Sequence, residues 1–363
     1  MRDFFILGDY MKNVIKVVFV IIGTLIGAGF ASGKEIYLFF SQFGIYGIGG
    51  MALSSVITGI LIIQSIKIIK EYSIEKYQDF LTLINHKHLA LCKSMNVIVN
   101  IFLLVSFYIM IAGFSAYMKQ AFQMSIYLSS SLFVCICYLV FQKNIQGIMK
   151  VNTWLVPLLI LFIIYLGIKN IPYISNFPIQ DILYTNQRGW LTYGLLYASY
   201  NSILLIPVLT SLSKYIEDKK ITKVGIFSGV VLFLLATMIF SILLRGTYYT
   251  QELELPMIEI VGQFGKLFSK LYGLVIVVSI FTSAISTGYS FLENVSKTRK
   301  HYQFNLLGIC LSGIFVSYLG FATLVQILYP IFGILGCIQI YWIIKQRYNL
   351  RKVERSIEKK AKN

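Results

Sequence analysis

Four groups of residues have types and spacings that can do chemistry. The first is glycine-rich. Gly23, Gly27, Gly29 and Gly33 fall within eleven residues of the apolar stretch VVFVIIGTLIGAGFASGKEIYLFF, with Ala28, Ala31 and Ser32 between them. Each interior glycine costs a helix about 1 kcal/mol relative to alanine, so the cluster marks a place where helix unwinds readily. Freed carbonyls there would face a cation and freed amides an anion. Unpaired backbone of this kind is tolerated in a membrane only against protein or a water-filled cavity. The competing reading is close helix packing through small residues, and the two are compatible. The second group is Tyr197, Ser199, Tyr200, Asn201 and Ser202, polar residues in the middle of WLTYGLLYASYNSILLIPVLTSL, followed by Pro207. The third is Ser283, Ser286 and Thr287, hydroxyls at i, i+3 and i+4 that share one helix face. The fourth is the charged pair Lys34 and Glu35, directly after the glycines. These two either form an external gate with a polar partner such as Gln326 or pair with neighbours at the surface.

The elements that carry these groups are membrane spans. The 363 residues are 57% hydrophobic and only 13% charged, with a mean hydropathy of +0.74. Soluble domains run near 25% charged, so a cytosolic enzyme, a disordered chain and a nucleic-acid-binding domain are all excluded. The apolar residues form runs long enough to cross a bilayer as helix and do not alternate as barrel strands do. Ten such segments can be counted, at roughly 14–40, 45–70, 95–122, 125–142, 151–171, 189–214, 222–245, 268–294, 303–320 and 322–345. The expected class is therefore all-α, a polytopic protein with helices 1 and 6 broken at mid-membrane. The first segment is too long and too interrupted by glycine to be a signal peptide.

Charge sets the orientation. The formal net charge is +17. With the N-terminus inside, 25 of the 32 Lys and Arg fall on the inner side and seven outside, as the positive-inside rule expects. Both termini are then cytoplasmic, and the basic tail 346–363 lies near anionic lipid head groups. The five cysteines show no disulfide or metal spacing. His86 and His88 form an H-x-H in a lysine-bearing loop without further ligands. No Ser/His/Asp set, metal cluster or carboxylate pair falls at membrane depth, so no enzyme activity and no resident cofactor are expected.

The chain also reads as doubled. Pro157 of segment 5 and Pro330 of segment 10 are 173 residues apart. The same offset carries the Gly27–Gly29 break onto Tyr200–Ser202 and the polar loop 72–94 onto 245–267. Repeat one then covers about 14–171 and repeat two about 189–345, inside a single transmembrane domain 1–345. Five spans is an odd number, so the second copy is inverted. This arrangement recurs in secondary transporters, with the substrate between the halves.

The stretches IGTLIGAGFASGKEIYLFFSQFG and YASYNSILLIPVLTSL resemble the amino acid–polyamine–organocation superfamily, which has the LeuT-type fold, and within it the YkvI group of bacterial membrane proteins. The resemblance spans essentially the whole chain and does not specify a substrate. It implies a transporter of a small neutral or zwitterionic solute, an amino acid first, working by alternating access in a bacterial cell membrane with sodium as the coupling ion. It places sodium between carbonyls of Gly23 and Ile26 and the hydroxyls of Ser283, Ser286 and Thr287. It places a substrate carboxylate at the amides of Ala28, Gly29 and Phe30. The amine and side chain then meet Tyr197, Ser199, Tyr200 and Asn201, with Phe107 and Tyr108 across the cavity. Segment 5 has no charge between Lys150 and Lys169, a departure from proton-coupled relatives that carry a lysine there. The absence of a mid-membrane carboxylate disfavours a polyamine. The alternative is a non-transporting sensor on the same fold, of the kind germinant-receptor membrane subunits resemble. The expected partners are membrane lipids and the small solute, with no nucleic acid.

Overall fold

A computed structural model describes residues 2–74, 77–84, 89–142, 146–175, 188–246 and 253–362. His86 and His88 lie outside them. All regular structure among the described residues is helical. Among the described residues, six helices are long and apolar enough to cross a membrane, and three shorter apolar ones accompany them at Val14–Leu25, Ile126–Phe141 and Pro157–Tyr173. The chain is a multi-pass membrane protein.

Segment 1 is broken, as its glycines predict. Helix α1 (Arg2–Leu25) ends before Ile26 and Gly27, and α2 (Ala28–Ser32) follows. A second interruption comes at Gly33, whose φ of +81° is a left-handed conformation that favours glycine, before α3 (Lys34–Phe39).

Segment 6 departs from expectation. Helix α9 (Trp190–Leu212) runs unbroken through Tyr197–Ser202 and past Pro207. The polar side chains explain why. Ser199 Oγ donates to the Leu195 carbonyl at 2.7 Å, Asn201 Nδ2 to Tyr197 at 2.9 Å and Ser202 Oγ to Ser199 at 2.6 Å. They bond back onto carbonyls of their own helix, which continues past Pro207 although proline supplies no ladder donor there. The predicted mid-membrane break of helix 6 is therefore corrected.

The remaining long helices are α4 (Tyr46–Glu71), α6 (Leu89–Phe122), α7 (Ile126–Phe141), α8 (Gln146–Ser175), α10 (Ile221–Leu243), α12 (Lys266–Val295), α13 (Arg299–Ser317) and α14 (Phe321–Lys362). Shorter helices are α5 (Tyr77–Ile84) and α11 (Pro256–Gly262). Helix α14 carries straight on from segment 10 through the basic tail.

Packing is through small residues, as between membrane helices generally. β-Carbons added at Gly59, Gly225 and Gly229 would lie 2.9, 2.7 and 2.8 Å from carbonyls across the α4–α10 crossing. On α9, one at Gly194 would lie 2.9 Å from the Gly50 carbonyl, and one at Gly336 of α14 only 2.1 Å from that of Ser199. Helix α9 is thus clamped between α4 and α14. Helix α1 packs on α9, α6 on α12, and α7 on α13.

The connections sort to two ends. At one, Lys70 pairs with Asp218 at 2.6 Å and Arg347 with Glu71 at 3.1 Å. At the other, Gln120 Nε2 meets Glu259 at 3.3 Å, Tyr127 stacks on Tyr318, and Arg245 lies 4.2 Å from the Tyr173 ring. Loops after segments 2, 6 and 10 therefore share one end, and those after 3, 5, 7 and 9 share the other.

Candidate functional site: a buried carboxylate folded over the helix break

The backbone break positions a charged side chain inside the bundle. Gly33 turns the chain so that Glu35, on the first turn of α3, folds back across α2. A β-carbon on Gly29 would lie 2.1 Å from Glu35 Oε1. Glu35 is 3% exposed. Its Oε2 accepts a hydrogen bond of 2.5 Å from the Tyr200 hydroxyl of α9, and the Tyr329 hydroxyl of α14 lies close to the carboxylate. Tyr200 and Tyr329 stack with ring centroids 5.0 Å apart, and Phe39 stacks on Tyr200 at 5.6 Å. Tyr197 stands edge-on to Phe39, Phe40 and Tyr200. The carboxylate thus sits in an aromatic enclosure drawn from three helices.

This corrects the expectation that no carboxylate lies at membrane depth. By position Glu35 reads as the outer part of segment 1. The turn at Gly33 brings it inward, and a glycine at 29 leaves room for it.

Three buried polar oxygens beside this enclosure lack hydrogen-bond partners among the described residues: Tyr197 Oη, Asn201 Oδ1 and Gln339 Oε1. Asn201 and Tyr200 lie next to the Tyr197 hydroxyl without meeting it at hydrogen-bonding geometry. A buried polar atom left unpaired costs about 1–3 kcal/mol, and other such atoms lie in α4 and α10, at Ser55, Thr58, Ser65 and Ser228. Gln339 Nε2 is 3.5 Å from the Ser202 carbonyl, which ties α14 to α9 here. Space is open next to Gly27, where a β-carbon would meet nothing within 4 Å.

Of the predicted substrate residues, Ala28, Gly29 and Phe30 are buried in α2 and Tyr197, Tyr200 and Asn201 are buried in α9; Tyr200 is linked to α2 through Glu35, which lies against Gly29. Ser199 turns the other way, with Oγ 3.3 Å from Cys337 Sγ on α14. Tyr108 also lies elsewhere, its hydroxyl 2.6 Å from Ser312 Oγ on α13, and Phe107 is buried against Phe141 and Gly288.

The predicted cation hydroxyls lie on one face of α12 and differ in exposure. Ser286 is exposed, Ser283 and Thr287 are half-buried, and Thr287 Oγ1 donates to the Ser283 carbonyl at 2.8 Å. The buried hydroxyl residues of this helix are Ser279 and Thr282, one turn earlier. A contact between α12 and α2 lies nearer the start of α12, where Tyr272 Oη donates to the Ala31 carbonyl at 2.6 Å. Gly23 is half-buried and Ile26 buried on the α1 side of the break.

Lys34 is fully buried and points away from Glu35. Its Nζ donates to the Leu253 carbonyl at 2.8 Å, beside Glu254. Glu254 Oε2 in turn accepts from the Ala322 amide at 2.6 Å, at the start of α14. Gln326 is exposed, so the partner of Lys34 is the 253–254 segment before α11. Tyr329, Gln339, Tyr272 and Glu254 were not singled out by sequence. Tyr329 is adjacent to Pro330, and that was its only visible signal.

No family model matches the chain. It is 25% identical over 332 residues to a Bacillus subtilis (strain 168) protein named "Uncharacterized membrane protein YkvI", covering 88% of this chain and 91% of that one. It is 23% identical to "Uncharacterized protein YyaD" of the same organism, covering 91% and 97%. Among solved structures it is similar to an Eremococcus coleocola manganese transporter, with a TM-score of 0.43 and 12% identity over 91% of this chain and 70% of that one. A mutant of that transporter gives the same score. The chain is thus similar over nearly its full length to a bacterial membrane protein.

Proposed function

We propose that the chain is a secondary transporter of a small zwitterionic solute, an amino acid first, working by alternating access in a bacterial cytoplasmic membrane. The observations that carry this reading are the interruption at Ile26–Gly27 and three unpartnered buried oxygens on α9 and α14. Non-helical backbone at membrane depth and orphaned polar atoms are both costly, and one ligand satisfies both. The oxygens of Tyr197, Asn201 and Gln339 suit an ammonium group. The amides of Ala28, Gly29 and Phe30 suit a carboxylate.

Two inverted five-helix repeats fit the packing. Segments 1, 2, 3 and 4 each pack on the segment five places later, 6, 7, 8 and 9. That is what a pseudo-two-fold axis in the membrane plane produces. In this reading the described state is closed at the end where Lys34 reaches the 253–254 segment, and opening releases that contact.

The test is a thermal-stability screen of the purified protein against the common amino acids, in sodium chloride and in choline chloride. A ligand that binds only the folded state raises its stability as its concentration exceeds the dissociation constant. Stabilisation by one amino acid or a small group of them supports the reading. Failure of every amino acid removes that substrate class.

A further inference from the structure

We propose that Glu35 is the coupling-proton site of this transporter, taking up a proton from water in one conformation and releasing it in the other. The inference rests on the transport reading for its purpose, though not for its chemistry.

An ionised carboxylate in the membrane interior needs a counter-charge. The groups that face Glu35 are all phenols: Tyr200, which donates to it, and Tyr329 and Tyr197 beside it. The adjacent ammonium of Lys34 is engaged at the Leu253 carbonyl and Glu254. Among the described residues, then, no fixed cation neutralises the carboxylate, and its neutraliser is exchangeable.

Size selects the proton among exchangeable cations. On one side Oε1 presses on Gly29, where even a methyl carbon would come within 2.1 Å. On the other Oε2 is held at 2.5 Å by Tyr200. The rings of Phe39, Tyr200 and Tyr329 stack around it. A metal ion would need several oxygens at about 2.3–2.6 Å, and one side of this carboxylate is already taken by the Tyr200 hydroxyl at 2.5 Å. A proton needs no added room: it converts the carboxylate to a carboxylic acid, and on release returns to water as the bundle opens.

The geometry also couples the proton to movement. Glu35 lies on α3, Tyr200 on α9 and Tyr329 on α14. The ionised form accepts strongly from Tyr200 and so ties α3 to α9, against which the Tyr329 ring of α14 stacks. The neutral acid is a weaker acceptor, so protonation loosens that tie.

The experiment is infrared difference spectroscopy of the full chain reconstituted in lipid, comparing acid with alkaline buffer. It reads the carbonyl stretch of a neutral buried carboxylic acid and needs no known substrate. Wild type is expected to show such a band titrating with pH. Glu35→Gln should lose it and Glu254→Gln keep it. Tyr200→Phe removes a donor to the ionised form, so the titration midpoint should move toward alkaline pH by about one unit, a tenfold change in proton concentration. That variant keeps the proposal testable if Glu35→Gln does not fold. A titrating band that survives in Glu35→Gln overturns the proposal. So does a midpoint unmoved in Tyr200→Phe, or loss of the band on adding sodium at fixed pH. A positive spectrum with no amino-acid binding would retain the proton site and discard the proposed solute.

Discussion

Glu35 and Gly29 occupy one space: a β-carbon on Gly29 would lie 2.1 Å from the Glu35 carboxylate. The glycine six positions earlier is what allows the carboxylate to fold back over the break. Gly29→Ala should therefore push Glu35 off Tyr200 and destabilise the protein by about 1–3 kcal/mol, the usual cost of overpacking. Gly27→Ala meets open space and should change stability by no more than about 0.5 kcal/mol. Thermal unfolding of the two variants in one detergent checks the contrast. Equal losses would mean the close approach at Gly29 is not what matters.

Tyr197→Phe separates binding from folding. The hydroxyl it removes has no partner among the described residues, so the folded protein should keep its stability or gain up to about 1–3 kcal/mol. Solute binding should weaken at the same time. A variant less stable than wild type would show that the hydroxyl is structurally paired and not reserved for a ligand.

Lys34 reaches across to the 253–254 segment, the contact that the proposed transport cycle releases on opening. Lys34→Met keeps the apolar stem and removes the donor to Leu253. Amide hydrogen exchange in α2 and α3 should rise several-fold while α4 and α10 stay protected. Unchanged exchange in α2 and α3 would show that Lys34 does not latch this end.

Close crossing of α4 and α10 depends on the absence of side chains. A β-carbon at Gly225 would meet Ile63 Cγ1 at 2.4 Å and the Gly59 carbonyl at 2.7 Å. Gly225→Val should prevent native packing and abolish monodisperse protein on size-exclusion chromatography. Ser228→Ala, which removes a buried hydroxyl without a partner among the described residues, should leave the profile unchanged.

Ser283, Ser286 and Thr287 share a helix face in sequence yet differ in exposure in the structure. Replacing all three with alanine should leave solute affinity in sodium and in choline unchanged. A sodium-dependent affinity lost in the triple variant would restore the cation site that the spacing suggests.

The sequence made the bundle legible because bilayer thickness imposes run length and the unsatisfied backbone forces helix. The break in segment 1 was legible too, since glycine has a direct backbone consequence. Segment 6 misled for a physical reason. Ser199, Asn201 and Ser202 have side chains short enough to bond the preceding turn, and a string of letters does not tell that from unwinding. Glu35 misled because its depth depends on the turn at Gly33. Tyr329 and Gln339 come from a helix some 300 residues away along the chain, and no local spacing connects them to it.

The central claim is that this site binds a solute and carries it across. The most direct measurement is uptake of labelled amino acids into proteoliposomes, driven by an inward proton gradient and repeated with sodium in its place. The account predicts that at least one amino acid accumulates above empty vesicles under the proton gradient, and that Glu35→Gln abolishes the accumulation. An amino acid that stabilises the purified protein yet crosses in neither direction, even in counterflow, would contradict it and identify the chain as a sensor.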